Sequence, residues 1–501
     1  MDFTSINSVD TNWWVFTLPA IVETQNLFNS WLLISVFIAF LCVGLLTWAV
    51  STGGLAWKNG RNQMGSVPIL GPRGLPLFGC LFSLSCGLAH RTLASMASSF
   101  RAKQLMALSL GSTPVVVTSD PIIAREILTS PHFANRPIKH SAKSLMFSRA
   151  IGFAPNGSYW RLLRRIASSH LFAPKRIAAH ESGRQMDCVA MLRAIAEEQS
   201  LNGVVYLRKH LQAAALNNIT GTVFGKRYDM ERLRDEAKEL HEIVREGFEI
   251  LGAFNWSDYL PWLKCFYDPF RINERCSVLV PRIRKLVKQI IREHQLKDEK
   301  ELLDDSAFVD WVMAELILNP DVQVKVHQEL DLIVGNKIDL TDVGVAKLKY
   351  LQAVIKETLR IHPPGPLLSW ARLSTSDVHL SNGMVVPANT TAMVNMWAIT
   401  HDPTVWEEPL AFKPERYLKS QGGADVDVRG VDLRLAPFGA GRRVCPGKNL
   451  GLVTVSLWVA KLLHRFEWVQ DISNPVDLSE VLNLSCEMKN PLRAVAVPRN
   501  A

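Results

Sequence analysis

The chain lacks most of the short motifs that identify catalytic and nucleotide-binding sites in a sequence. Its 501 residues contain no H-E-x-x-H histidine pair, no phosphate-binding P-loop and no Rossmann glycine pattern. The net charge of +9 is compatible with an acidic partner or an anionic lipid surface, but no basic run is interleaved with aromatic residues as in nucleic-acid-binding modules. We therefore expect no nucleic-acid partner and no nucleotide held by either glycine motif.

Lysine and arginine are absent from residues 1–57, and basic residues first appear directly after a long uncharged run. That run, residues 31–50, is long enough to cross a bilayer as a helix. The charge asymmetry around it places the rest of the chain on the cytosolic side. The sequence thus predicts a lumenal segment (1–30), a transmembrane anchor (31–50) and a linker with a Pro/Gly-rich hinge (51–79). A buried core helix is the alternative for the uncharged run.

A cysteine near the C-terminus is the strongest candidate for chemistry. Gly439, Gly441 and Pro446 predict an irregular loop around Cys445, and the apolar pattern from about Gly447 predicts a buried helix after it. The helix N-terminus and the adjoining arginines favour a thiolate at this position. The cysteine is therefore predicted to be a nucleophile or a metal ligand, with a buried structural thiol as the alternative.

Two further pairs of side chains fall on predicted helices. Trp160 and Arg164 are four residues apart, so they share a helix face, and an indole N–H beside a guanidinium suits a doubly charged acid. Glu357 and Arg360 are three residues apart, close enough to form an ion pair. An ordinary amphipathic helix and a weak surface ion pair are the respective alternatives.

The loop around the cysteine resembles the haem-binding loop of the cytochrome P-450 haem-thiolate monooxygenases. That loop follows the pattern F-x-x-G-x-R-x-C-x-G, which the chain matches at Phe438, Gly441, Arg443, Cys445 and Gly447. The resemblance implies that haem b is the cofactor, that the Cys445 thiolate is the axial ligand of its iron, and that the other four residues belong to the cofactor-binding loop. In this family the thiolate donates electron density to iron and favours O–O cleavage.

The resemblance extends to the two helical pairs. The tryptophan–arginine pair matches the family's W-x-x-x-R helix, which holds the haem propionates, and Arg372 matches another position that contacts a propionate. The glutamate–arginine pair matches E-x-x-R, whose third partner is Arg416 in "FKPERY". That triad implies a structural brace for the cysteine loop.

The resemblance covers roughly residues 65–500 and implies a mainly α domain with small β-sheets over residues 80–501. Short alternating runs predict strands from Lys103 to Val117, and Asn382-Gly383 predicts a tight hairpin. The stretches "FSRAIGFAPNGSYWRLLRRIASSHLFAPKRI" and "WVMAELILNPDVQ" resemble a plant microsomal subfamily that is linked to organ size and leaf-initiation timing.

One part of the family pattern has no counterpart in this chain. A member carries a long central helix with an A/G-G-x-D/E-T motif, whose acid and alcohol deliver protons during oxygen activation. No such motif precedes Glu357. Within the gap region 297–311, residues 297–306 are hydrophilic and lack glycine, and the join at Asp310-Trp311 is abrupt. The sequence predicts that several helical turns are missing there, through splicing or an error in the gene model. No catalytic acid or alcohol is identified.

The function predicted on this basis is that of a single-pass monooxygenase of the endoplasmic reticulum membrane with a cytosolic catalytic domain. It would hydroxylate a lipophilic small molecule, for which a fatty acid is the usual suggestion, using O2 and electrons passed from NADPH by an NADPH–cytochrome reductase. The membrane lipid is a further predicted partner. The basic residues predicted to meet the reductase are Arg161, Arg165, Arg442 and Lys448. Two alternatives stay open: a haem-thiolate isomerase or dehydratase, and a catalytically impaired variant that at most binds haem.

Overall fold

The computed structural model describes residues 31–46, 48–49, 55–57, 67–85, 87–146, 149–224, 234–265, 268–295, 306–335, 340–368 and 371–499. The predicted lumenal segment and most of the hydrophilic stretch before Ser306 lie outside these ranges.

The uncharged run of the N-terminal region is helical over residues 31–46 and 48–49. Its large apolar side chains are exposed, among them Trp31 and Phe40. Within the described ranges, no helix combines the length and the apolar character that a bilayer crossing requires. The anchor over 31–50 stays a prediction.

Helices make up most of the domain, as the sequence predicts. At the helix that begins with Pro121, the carboxylate of Asp120 accepts hydrogen bonds from the backbone N–H groups of Ile122 and Ile123, and the proline fills the first helical position. In chain order the helices are Leu81–Ser85 (α1), Ala89–Ser99 (α2), Pro121–Thr129 (α3), His140–Leu145 (α4), Ser158–Ile166 (α5), Pro174–Ala179 (α6), Glu181–Asn202 (α7), Leu207–Phe224 (α8), Arg234–Gly252 (α9), Ile272–Gln295 (α10), Ser306–Leu318 (α11), Pro320–Ile333 (α12), Asp342–Val345 (α13), Lys349–Ile361 (α14), Met396–Thr400 (α15) and Lys448–Arg465 (α16).

The strands form small sheets around the helices. They are Met106–Leu110 (β1), Thr113–Thr118 (β2), Val205–Tyr206 (β3), Arg372–Leu373 (β4), Val378–His379 (β5), Val385–Val386 (β6), Thr391–Val394 (β7), Phe466–Gln470 (β8), Glu480–Leu482 (β9), Cys486–Met488 (β10) and Arg493–Pro498 (β11). The sheets have the orders β1-β2-β7-β4, β3-β11-β8, β10-β9 and β5-β6. Strands β2 and β7 pair in parallel, and the other pairs are antiparallel. The predicted strands near residue 110 and the hairpin at Asn382-Gly383 are confirmed.

The largest apolar cluster centres on α11, α14 and α16, with strand β8 against them. Trp458 of α16 and Trp468 of β8 are almost fully buried in it. Helix α11 is 13 residues long and is buried on all sides from Phe308 to Ile317. An apolar pattern without a polar face explains this position, since such a helix is stable only inside a core.

The residues on either side of the predicted join are packed in this core. Asp310 is fully buried and accepts a hydrogen bond from Nε of Arg208 at 2.7 Å. The Trp311 ring stacks on His362, with 4.1 Å between ring centroids. Burial raises the pKa of Asp310 to about 6, because it disfavours the carboxylate more than the charge of Arg208 favours it.

The raised pKa predicts a pH-dependent stability that Asp310→Asn removes. Because the native state holds the Asp310 proton more tightly than the unfolded chain, the free energy of unfolding falls as pH rises from about 4 to about 6. Over that pH window, we expect the free energy of unfolding of the parent to fall by on the order of 1–3 kcal/mol relative to that of Asp310→Asn. Urea unfolding at stepped pH measures the difference.

The matched control is Asp477→Asn, at an exposed carboxylate whose pKa is lowered by hydrogen bonds from Ser479. Above pH 4, the difference in free energy of unfolding between this variant and the parent stays constant. A constant difference for Asp310→Asn as well would contradict the prediction.

Candidate cofactor site

The loop before α16 has the irregular backbone that its glycines predict. Gly441 has φ +66°, and a Cβ there would overlap the carbonyl oxygen of Leu128 at the end of α3. The backbone N–H of Cys445 donates to the Phe438 carbonyl at 2.9 Å and closes the loop on itself. Gly447 directly precedes α16. The cysteine is thereby held at the N-terminal end of a buried helix.

Cys445 is half-buried and borders a cavity of about 740 Å³, a volume within the usual range of cofactor and small-molecule sites. The structure brings almost all predicted cofactor-binding residues to this one cavity, while Gly441 lies behind it. The predicted residues that border the cavity are Trp160, Arg164, Arg372, Phe438, Arg443, Cys445 and Gly447.

Four of the arginines that border the cavity form one group that is coupled by charge, namely Arg136, Arg164, Arg372 and Arg443. Arg208 and Arg245 border it too, but each is paired with a carboxylate, that of Asp310 and that of Glu249. Burial lowers the pKa of each of the four. Repulsion by neighbouring guanidinium groups lowers it further at Arg136, Arg372 and Arg443, to about 9 for Arg372 and to about 10 for Arg443. The negative charge of a Cys445 thiolate opposes this effect at Arg136 and Arg164. The cavity is therefore built for an occupant with several negative charges.

Arg372 shows where such an occupant would be held. Its side chain is buried, and neither Nε nor Nη1 has a hydrogen-bond partner in the part of the chain that the structure describes. Its Nη2 reaches only the Ala440 carbonyl, at 3.4 Å. Unused donors beside a thiol and three other cations fit haem, which has two propionates and an iron that accepts a thiolate ligand.

Trp160 and Arg164 share one helix face, as their spacing predicts, but the indole N–H has a different partner. It donates to the Ile151 carbonyl at 3.0 Å, and the indole ring lies 4.0 Å from the Arg443 guanidinium. Arg164 donates through Nη1 to the Val444 carbonyl at 2.8 Å. The indole therefore supports an arginine by a cation–π contact, while its N–H is used by a backbone carbonyl. The predicted contact between this N–H and a propionate stays a prediction.

Arg443 ties the cysteine loop to the segment before α5. Its Nε donates to the Ala134 carbonyl at 2.8 Å and its Nη2 to the Ala154 carbonyl at 2.6 Å. With Trp160 against one face, the guanidinium is fixed in position while it borders the cavity.

The predicted brace is assembled around a fully buried carboxylate, that of Glu357. Arg360 donates to both of its oxygens, at 2.8 and 2.9 Å, and Arg416 donates to one at 3.0 Å. The remaining N–H groups of the two arginines donate to backbone carbonyls of residues 400–411. The triad therefore fixes α14 against this segment and is not a weak surface pair.

Several polar residues of the cavity could not be predicted from the sequence, among them Arg136, Ser485 and Glu487. Arg136 is a single arginine in a loop, with no spacing pattern to mark it. Ser485 donates to the Glu487 carboxylate at 2.9 Å, and both border the cavity. A serine and a glutamate two residues apart at a strand are too common to be a signal. Helix α11 also contributes to the cavity lining, through Phe308.

Comparison with known proteins gives strong similarity over the whole chain. A family model described as Cytochrome P-450 matches residues 69–310 and 304–490. The chain is 59% identical to cytochrome P-450 78A7 of Arabidopsis thaliana over 99% of both chains. It is 55% identical to cytochrome P-450 78A11 of Oryza sativa subsp. japonica, over 99% of this chain and 98% of that relative, and 54% identical to cytochrome P-450 78A1 of Zea mays over 98% of each.

The comparisons also bear on the stretch before Trp311. The two matched pieces of the family model meet at residues 304–310. The alignment with the Arabidopsis thaliana protein has 534 positions, whereas the chain has 501 residues, so at least 33 positions have no residue here.

The brace predicts a large loss of stability for Glu357→Gln. Removing the carboxylate charge leaves the buried Arg360 without its counter-ion, which typically costs about 3–5 kcal/mol. The matched control is Glu274→Gln, whose partner Arg271 has the same spacing but whose pair is exposed; its loss stays under about 1 kcal/mol. Urea unfolding measures both, and equal losses would contradict a structural role for the triad.

The two loop glycines predict unequal effects of one added methyl group. Gly439 and Gly441 have φ of +69° and +66°, so alanine at either is strained by about 1–2 kcal/mol. Only at Gly441 does the new Cβ overlap a neighbour, the Leu128 carbonyl, whereas Gly439 has open space. We expect Gly441→Ala to lose about 1–3 kcal/mol more than Gly439→Ala, measured by urea unfolding. A larger loss for Gly439→Ala would show that the loop is not packed as described.

Proposed function

Because the chain belongs to the cytochrome P-450 family, we propose that it is a haem-thiolate monooxygenase acting on a lipophilic small molecule. The observation that carries the proposal is the cavity that combines the Cys445 thiol with the coupled guanidinium groups of Arg136, Arg164, Arg372 and Arg443. The balanced reaction takes one C–H group of the substrate, O2, NADPH and a proton, and yields the hydroxylated product, water and NADP+.

Different residues of this chain would hold the iron and the propionates of haem b. Cys445 ligates the iron, and the haem supplies the centre at which O2 is activated. Arg136 and Arg372 neutralise the propionates, since both border the cavity and Arg372 has unused donors. Arg443 holds the loop through backbone carbonyls, which keeps the thiolate in place.

The apolar part of the remaining cavity lining suits a substrate with a hydrocarbon body. Apolar side chains of α8, α9, α11 and the β9–β10 turn border it, namely Leu216, Val244, Phe248, Phe308 and Leu484. Apolar surface of this kind binds chains by removing them from water. A fatty acid is the substrate class that fits both this lining and the resemblance to the plant subfamily.

The proposed setting is the endoplasmic reticulum membrane, with the domain on the cytosolic side and electrons supplied by an NADPH–cytochrome reductase. The exposed apolar side chains of residues 31–46 support an anchor. Arg161, Arg165 and Arg442 are exposed near the cysteine loop and support docking of an acidic partner. Lys448 donates to the Arg429 carbonyl at 2.8 Å. Its ammonium group is therefore less available for docking than the three arginines.

The second candidate is a catalytically impaired form that retains haem. It is supported by the division of the family match into two pieces that overlap at residues 304–310, and by the additional positions in the alignment with the Arabidopsis thaliana relative. The third, an isomerase or dehydratase, needs neither NADPH nor the family's acid and alcohol, so dependence on NADPH separates it from the first.

The test uses the full chain loaded with haem, beside Cys445→Ser and the control Cys276→Ser, which removes a buried thiol elsewhere. We expect the parent and Cys276→Ser to show the ferrous carbon monoxide absorption of a thiolate-ligated haem, and Cys445→Ser to lose it, because serine cannot supply a thiolate. An unchanged spectrum in Cys445→Ser would contradict the assigned ligand.

Turnover is measured on a panel of fatty acids with reductase and NADPH. A companion chain carries the residues of the Arabidopsis thaliana relative inserted between Asp310 and Trp311. Hydroxylation by the parent supports the first candidate, hydroxylation by the companion alone supports the impaired form, and product formed without NADPH supports the isomerase.

A further inference from the structure

A second group of ligand-type side chains lies outside the cofactor-binding residues. His90 comes from α2, Glu480 from β9 and Cys486 from β10, and one potential ligand atom of each lies within 4.8 Å of the others. The three side chains are almost completely buried. They are remote in sequence, so it is the fold that brings an imidazole, a carboxylate and a thiol together.

His90 is the member of this group whose ring lacks hydrogen-bond partners among the described residues. It is 0% exposed, and across the described ranges its Nδ1 has no hydrogen-bond partner, while its Nε2 has only a long contact with a carboxylate. Its Nε2 lies 3.4 Å from Oε2 of Glu480. A buried imidazole without hydrogen bonds is unfavourable and calls for a missing partner.

The position of His90 is nevertheless well fixed. Its backbone carbonyl accepts a hydrogen bond from Nδ2 of Asn395 at 2.7 Å, and its ring lies 5.5 Å from the Trp397 ring. The ring is therefore held facing the carboxylate and the thiol, which is the pre-organisation that a metal ligand requires.

We propose that His90, Glu480 and Cys486 bind a Zn²⁺ ion. Zinc is the metal that accepts imidazole nitrogen, carboxylate oxygen and thiolate sulfur alike. Tetrahedral bonds of about 2.0–2.3 Å separate neighbouring ligand atoms by roughly 3.5 Å. In this structure the ligand atoms are up to 4.8 Å apart. Small side-chain rotations shorten these separations to the tetrahedral value, and water completes the coordination.

The charges around the group are consistent with a divalent ion. The carboxylate and the thiolate balance its two positive charges. Arg91 already lies 2.9 Å from Oε2 of Glu480, but a carboxylate has two oxygens and can hold a guanidinium with one and a metal with the other. The same arginine then orients the ligand, as partners of metal-binding carboxylates do.

The ion would join α2 to the hairpin of β9 and β10, and this hairpin also forms part of the cavity wall. Its turn and second strand bring Ser485 and Glu487 to the cavity. Zinc would therefore fix the part of the wall in which Ser485 donates a hydrogen bond to the Glu487 carboxylate. The site is independent of the proposed haem chemistry, because none of its ligands borders the cavity.

The experiment measures zinc on the full, untagged, haem-loaded chain by equilibrium dialysis, followed by X-ray absorption at the zinc edge. We expect about one tightly bound zinc per chain with about one sulfur in its first coordination shell. Cys486→Ser and His90→Gln should each weaken binding by about tenfold or more. The controls are Cys276→Ser, at an equally buried thiol, and His379→Gln, at an exposed imidazole; both should bind like the parent.

Three results would overturn the proposal: no stoichiometric zinc in the parent, bound zinc without a sulfur ligand, or unchanged affinity in Cys486→Ser. If a variant fails to fold, the absorption spectrum of the parent still decides, since it reports the ligands directly. Zinc binding is measured without turnover, so a failure of the monooxygenase proposal leaves this result unaffected.

Discussion

Repulsion among the four guanidinium groups around one cavity is the constraint on which the rest of the site depends. The fold tolerates it by giving two of them, Arg164 and Arg443, backbone carbonyls as acceptors. Arg372 is left with buried donors that no described group accepts. An anion that supplies the missing acceptors would bind the native chain and not the unfolded one, so occupancy of the cavity and stability of the domain are thermodynamically linked.

The brace shows the opposite solution with the same residue type. Arg360 and Arg416 are also drawn into the interior, but the Glu357 carboxylate lies between them and carbonyls accept the remaining hydrogen bonds. One arginine cluster is neutralised by the Glu357 carboxylate and serves packing. The other has no carboxylate between its members, and this difference distinguishes a binding site from a structural ion pair.

The sequence predicts the features that depend on local spacing and fails where the fold creates proximity. The Cys445 loop, the helix after it and the Glu357–Arg360 pair follow from offsets of a few residues, and the structure brings each together. Arg136 has no such offset, and it becomes part of the site only because its loop packs beside Arg372 and Arg443. The indole N–H of Trp160 has a partner that spacing could not identify, since the Ile151 carbonyl reaches it from outside the helix. The pairing of His90 with Glu480 and Cys486 is of the same kind.

The parallel pairing of β2 with β7 has a consequence for how the chain reaches its native state. Val115 pairs with Thr391. Strand β2 is synthesised early and therefore cannot form this pairing until β7 has been synthesised. Native contacts between such distant segments slow folding, because a long loop must close before any of them forms. During that interval one edge of the early β1–β2 hairpin is unpaired and open to association with other chains. A nascent chain of this topology therefore depends on protection of that edge until its C-terminal third has been made.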